Sequence, residues 1–249
     1  MSLRINSDFN GVTDPDAGAY IAAVEAADGQ LLEFAVGKAI NDFVVGCKND
    51  GIWSAIKASC ILAGARTLSG ALIPLAGTAP TNNNFVSNDY SRKTGLIGDG
   101  ATKYLNSNRN NNADPQNSQH VSIYTSDTPT GTLIGAGLSD TGTTQIISGL
   151  QRSRSFNYDL GTVVAGFTAI SRSQSSQYVF RTGNSNSTRS RVSETPYAGS
   201  LHIFRRNTTS DFGWSNSRLA FYSIGESLDI ALLDARVTAL ITAFGAAIP

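Results

Sequence analysis

The sequence predicts a mainly β protein: an antiparallel β-sandwich with a short helical N-terminal region and a C-terminal helix. Three observations predict it. Runs at 104–105, 120–125, 132–138, 143–147, 162–170, 178–182, 188–192, 201–206 and 219–224 alternate apolar and polar residues, the period of a strand with one face buried. Gly, Asn, Asp or Ser separates them, and short strands at roughly 8–12-residue spacing suit two sheets packed face to face. Charged residues are 15% of the chain, against about 25% in an average soluble domain. The surface is therefore largely hydroxyl and amide, as in many secreted and virion β proteins.

Taken in order, Asp14-Pro15 marks a helix start, since the carboxylate caps orphan amides and proline at the first helical position forfeits no bond. Tyr20, Ala23, Val24 and Ala27 recur at helical spacing, and Asp28-Gly29 ends the run. A second helix over 31–45 presents Leu32, Phe34, Val36, Ala39, Ile40, Phe43 and Val44. Ile52, Trp53, Ile56 and Ala58 suggest one more short helical stretch. Residues 79–84 form a turn-rich connector. Residues 1–84 thus read as a helical region with connector, docking on the sandwich or on a neighbouring chain, and 85–249 as the sandwich. Ser227 is the expected cap of the last helix, with Leu228, Ala231, Leu232, Ala235, Leu240 and Phe244 on its apolar side.

Nineteen basic and nineteen acidic residues cancel, which speaks against general nucleic-acid affinity. Their distribution is uneven. Asp8, Asp14, Asp16, Glu25, Asp28, Glu33, Asp42 and Asp50 outnumber Arg4, Lys38 and Lys48 in the first fifty residues. Arg152, Arg154, Arg172, Arg181, Arg189, Arg191, Arg205 and Arg206 outnumber Asp159 and Glu194 later on. The two regions attract, so Asp16, Glu25, Glu33, Asp42, Arg189 and Arg191 are candidate assembly contacts, within the chain or between subunits. Cys47 and Cys60 make neither a disulfide framework nor a metal quartet and are expected as buried thiols. Residues 1–10 lack the apolar core of a secretory signal, and no run is expected to span a membrane.

The sites open to chemistry are few. Residues 106–117 are the most polar stretch; Asn108, Asn110, Asn112 and Asp114 are candidate glycan contacts, with calcium as an alternative ligand and an inert loop as the plain reading. Trp214, on a loop before the last strand, suits stacking on a sugar ring or packing on a sheet edge. His120 and His202 read as sheet histidines, each pointing opposite its apolar neighbours. Glycan cleavage needs paired carboxylates, and the candidates are only Asp159, Glu194, Asp211 and Glu226. No nucleophile elbow, phosphate-cradling loop or dinucleotide fingerprint is present.

Residues 95–108 (Gly-Leu-Ile-Gly-Asp-Gly-Ala-Thr-Lys-Tyr-Leu-Asn-Ser-Asn), 118–125 (Ser-Gln-His-Val-Ser-Ile-Tyr-Thr) and 218–228 (Arg-Leu-Ala-Phe-Tyr-Ser-Ile-Gly-Glu-Ser-Leu) resemble the concanavalin A-like, laminin-G-like jelly-roll proteins of tailed bacteriophages. Residues 52–57 and 79–82 resemble the segment preceding that sandwich. The resemblance covers most of 15–245 and implies a jelly roll in a virion. The catalytic carboxylate motif of the glucanase branch has no counterpart here. The expected function is a virion structural protein, in head decoration, tail or fibre, made in the host cytoplasm and assembling with other virion proteins as a homo-oligomer. It is expected to lack cofactor, nucleic acid and membrane insertion. A host-glycan adhesin is the alternative, and a glycosidase or depolymerase the third.

Overall fold

The computed structural model describes residues 11–138, 141–209 and 213–249. Residues 1–10, Asp8 among them, and Asp211 lie outside the described residues. Two sheets stack as a sandwich, as predicted. The first runs in the order β14 (Ser185–Ser190), β13 (Gln177–Thr182), β12 (Gly166–Arg172), β7 (Gln119–Thr125), β17 (Arg218–Gly225), β1 (Ile56–Ile61) and β2 (Pro74–Ala76). Short strands β5 (Gly95–Ile97) and β4 (Tyr90–Ser91) extend it beside β17. The second runs β11 (Asp159–Leu160), β10 (Leu150–Ser155), β9 (Thr143–Ile147), β8 (Thr132–Ala136), β15 (Ser200–Ile203), β6 (Tyr104–Asn110) and β3 (Thr81–Asn83), with β16 (Arg206–Asn207) beside β8. Strand pairing is antiparallel save for β16 on β8.

Two apolar clusters follow from the alternation. Leu105, Val121, Ile123, Ile146, Ile170, Tyr178, Leu201, Ile203 and Ile224 fill the space between the sheets. Phe167, Ala169, Ala220 and Phe221 point out of the first sheet and are covered by helices. These are α1 (Pro15–Asp28), α2 (Phe34–Asn49) and α4 (Ile230–Ala247), with the single turn α3 (Leu68–Ala71) nearby. Asp14 caps α1 by accepting from the amides of Asp16 and Ala17, and Gly29 ends it at φ 65°. Cys47 and Cys60 are buried free thiols, each pushed up to about 12 by burial.

Several expectations need correction. Residues 52–58 are not helical: one 3-10 turn, Trp53–Ala55, leads into β1, which pairs with β17 from the far end of the chain. Residues 106–110, expected in a loop, are strand β6. Strand β10 was not anticipated, because its buried positions are Gln151, Ser153, Arg154 and Ser155, leaving no apolar period to read. Asp229, not Ser227, caps α4, accepting from Ala231 and Leu232 amides. Its buried face is Ile230, Leu233, Val237, Leu240, Ile241 and Phe244, so Leu240 and Phe244 lie as predicted while Leu232 is exposed. Contrary to the hydropathy expectation, α4 is by length and composition apolar enough to cross a membrane. Here Asp234 and Arg236 in its middle form ion pairs with Arg181 and Asp50 at 2.6 and 2.7 Å.

One end of the inter-sheet space is polar. Arg154 and Arg172, both fully buried, extend their guanidinium groups to backbone carbonyls: Arg154 to Pro115 and Asn111, Arg172 to Ser153, Gln174, Ser175, Gln177 and Arg191. Burial pushes both down to about 10. Asn111 completes this end, accepting from Gln119 Nε2 and Thr144 Oγ1 and donating to the Gly142 carbonyl.

Candidate functional site

The helices occupy the outer side of the first sheet, and none packs on the outer side of the second, whose central residues Gln145 and His202 are nevertheless buried. In β15, Leu201 and Ile203 point inward with no exposed surface, so His202 points outward. In β6, Leu105 is fully buried and Tyr104 flanks it on the outer side, half-buried. Pairing of Ile203 with Leu105 brings the two outward rings together. Tyr104 and His202 have centroids 4.8 Å apart and planes at 31°. Trp214 approaches Tyr104 edge-on at 5.8 Å. The Arg205 guanidinium lies 4.9 Å from the Tyr104 centroid and 4.5 Å from that of Trp214.

Local backbone chemistry fixes Trp214 there. Gly213, at φ 76°, passes so close to Thr132 that a Cβ would sit 2.6 Å from Oγ1. Gly131, at φ 59°, has the Trp214 carbonyl where its own Cβ would be. The Thr132 amide donates to Gly213 O, and the Ser215 amide to Phe204 O. The backbone on either side of the indole, at Gly213 and Ser215, is thus held in place.

His202 is 8% exposed, and its Nδ1 has no hydrogen-bond partner. Burial, then the neighbouring Arg205 charge, pushes it down to about 4, so the imidazole is neutral at neutral pH. Beyond this cluster Gln145 donates to Thr132 Oγ1 at 3.1 Å, and Arg152 lies 5.5 Å from the Tyr158 ring. Stacked rings, planar guanidinium groups and amides on an open sheet can pack on the C–H face of a sugar and bond its hydroxyls.

The five predicted glycan contacts do not form one site. Trp214 belongs to the cluster at the Tyr104 end of β6. Asn110 lies at the other end, roughly 20 Å away at the usual rise of a strand. Asn108, at φ 56°, donates to Ala79 O and Thr81 Oγ1. Asn110 and Asn112 are exposed. Asp114 is buried and ion-paired with Arg109, which removes it as an open calcium ligand. Among the described residues no group of three His, Cys, Asp or Glu is placed to hold a metal. Tyr104, His202 and Arg205 are the contacts that sequence reasoning missed, because their convergence depends on β6 lying beside β15.

Each predicted assembly residue is engaged within the chain. Asp16 pairs with Lys48 at 2.7 Å, Asp42 with Lys38 at 2.5 Å, and Glu25 accepts from the Leu32 amide. Glu33 takes both Arg92 nitrogens at 3.0 and 2.6 Å, and Arg92 holds its carboxyl below the usual range. Arg189 lies over the Phe180 ring, and Arg191 pairs with Asp159 at 2.9 Å.

An open depression of about 640 Å³ lies between Gln116, Thr141 and the 193–198 segment, and among the described residues lining it Glu194 is the one carboxylate. Glu194 meets Arg154 through its backbone amide rather than by the ion pair its arginine neighbours suggest. Elsewhere Asp159 faces Arg191 and the Tyr178 hydroxyl, Glu226 faces Lys57, and Asp229 caps α4.

Neither a protein-family model nor a curated protein sequence matches this chain. Among solved structures it is similar to the botulinum neurotoxin serotype D binding domain, at 11% identity and TM-score 0.47, over 74% of this chain and 51% of that one. It is similar to a Trypanosoma rangeli sialidase mutant displaying trans-sialidase activity, at 11% identity and TM-score 0.44, over 81% and 39%. A third is Domain 4 of an extracellular arabinanase from Geobacillus stearothermophilus in complex with arabinotriose, at 10% identity and TM-score 0.40, over 64% and 82%. The chain spans about half the length of the neurotoxin domain. None of the three is a virion protein, and no residue role is transferred from them.

Proposed function

We propose that this chain is a lectin-like recognition module that binds carbohydrate on the open face of its second sheet and catalyses no reaction. The observation that carries this is the half-buried stack of Tyr104, Trp214 and Arg205 on the outer side of the second sheet, where no helix packs. The test is a glycan array probed with the chain multimerised on streptavidin, beside Trp214→Ala and Tyr104→Ala. Hits that disappear in both variants, with unchanged circular dichroism, support the reading; an array without hits sinks it.

The setting we infer is a bacteriophage particle, as a head-decoration, tail or fibre part. The resemblance of residues 95–108, 118–125 and 218–228 supports it, as does Leu31, 64% exposed beside the helical layer where an anchoring contact fits. Immunogold labelling of purified particles is the check, and unlabelled particles would remove this setting while leaving the glycan reading intact.

A further inference from the structure

We propose that two copies of this chain join through strand β14, in antiparallel register about a two-fold axis at Thr188. Four strands end the two main sheet paths: β2, β3, β11 and β14. Three are blunted. β2 and β3 have three residues each, β2 beginning with Pro74, and β11 has two. β14 has six, contains no proline, and pairs with β13 without a bulge from Thr182–Ser185 to Gln177–Ser190. Proteins usually blunt such edges because a long regular one templates another strand.

The turn before β14 fixes which groups face out. Gly183 and Asn184, at φ 53° and 61°, make the two-residue turn that closes a tight hairpin. Its closing pair exchanges hydrogen bonds, so Ser185, Ser187 and Arg189 bond to β13. The N–H and C=O groups of Asn186, Thr188 and Ser190 therefore point away from the sheet, and all three residues are exposed. Arg189, the charge on this edge, is turned onto the Phe180 ring at 5.7 Å and leaves the backbone clear.

The edge is complementary to itself. Directly opposed residues of antiparallel strands share a face, so a two-fold axis must pass through a residue. An axis at Thr188 sets Thr188 against its copy, Asn186 against Ser190, and Ser187 against Arg189. Hydroxyls and amides meet, and no like charges are opposed. The flank beside the edge is apolar: Leu160 and Val192, 73% and 71% exposed, are the most exposed large apolar side chains among the described residues. Tyr158 joins them, held there by its carbonyl, which accepts from Arg191. A second copy covers this surface with its own, as closed symmetric pairs do. The axis stands perpendicular to the sheet, so both helical layers lie on one side and both open faces on the other.

The test is analytical ultracentrifugation of the full chain at high micromolar concentration, with Thr188→Pro and Thr188→Cys. The wild type is expected at twice the 26.2 kDa chain mass. Thr188→Pro removes one outward N–H that β13 does not use and should sediment as a monomer with an unchanged melting temperature. Thr188→Cys should give a covalent dimer with a short bismaleimide cross-linker, since the Cα atoms of a directly opposed, hydrogen-bonded pair lie about 5.5 Å apart. A monomeric wild type, a trimer, or a folded Thr188→Pro that stays dimeric overturns the proposal. Should Thr188→Pro unfold, the cysteine variant decides, and a dimer that does not cross-link overturns it.

Discussion

The two outer faces of the sandwich are built from similar strands and put to different uses. On the first sheet, Phe167, Ala169, Ala220 and Phe221 lie under α1, α2 and α4 in one apolar cluster. On the second, the outward side chains are Tyr104, His202, Gln145 and Arg152, with Trp214 and Arg205 laid over them. Alternation dictates that each strand has an outer face, and residue type dictates what covers it. Apolar outward residues require a helical layer, whereas aromatic and charged groups tolerate water: Tyr104, Arg152, Arg205 and Trp214 stay half-buried, while His202 and Gln145 are buried beneath them. Substitutions on the first face should cost stability, and those on the second should cost binding.

Five measurements order this contrast, by their effect on stability. Phe221→Ala, on a side chain with no exposed surface that meets Phe43 at 5.8 Å, should lose about 3–5 kcal/mol in urea titration. A loss under about 1 kcal/mol would mean that the helices dock weakly. Arg172→Leu should lose roughly 2–4 kcal/mol, since buried carbonyls left without a donor cost about 1–3 kcal/mol each.

Acid should act next. His120 is buried between Glu226 O and Ser223 Oγ, and burial pushes it down to about 4, as it does His202. Below pH 6.5 the unfolded chain takes up protons that the folded chain refuses, so stability falls as pH drops from about 6.5 to about 4. The slope is at most about 1.4 kcal/mol per pH unit for each histidine. His120→Gln should flatten it by about half; an unchanged slope would assign the effect elsewhere.

Trp214→Ala should change stability by less than about 1 kcal/mol yet weaken glycan binding about thirtyfold, the expectation for an aromatic hot spot near 2 kcal/mol. Comparable losses of stability and binding would erase the distinction between the faces. Asp42→Asn, at the exposed pair with Lys38, should shift stability by no more than about 0.5 kcal/mol.

Local signals made much of the fold legible. Asp14-Pro15 and Gly29 bound α1 as read, and β7, β9 and β17 fall within a residue or two of their apolar periods. Non-local structure was not legible. Ile52 and Ile56 sit four apart, a helical spacing, but Ile56 begins a strand whose partner is more than 150 residues away. β10 buries Gln151, Ser153 and Arg154, so polarity hid a strand whose buried side chains donate to backbone carbonyls through Gln151 and Arg154 instead of being apolar. At the candidate site Trp214 was readable alone as a loop indole. Tyr104, His202 and Arg205 became contacts only through the β6–β15 register, which no local period encodes. The acid and arginine excesses were read as attraction between the two regions, but their ion pairs run to other segments: Glu33 to Arg92, Asp50 to Arg236, Arg181 to Asp234 and Arg191 to Asp159.

The neighbours of β17 carry a further consequence. Its central position, between β7 and β1, places residues 218–225 where the first sheet would otherwise be split. During translation, β1 emerges early and has β2 at hand for one edge, but its other edge must wait for a partner that is still unmade, its backbone groups there satisfied by solvent or a chaperone. The sheet closes only after residue 225 has cleared the ribosome, so ribosome-bound chains arrested before that point should be protease-sensitive throughout β1.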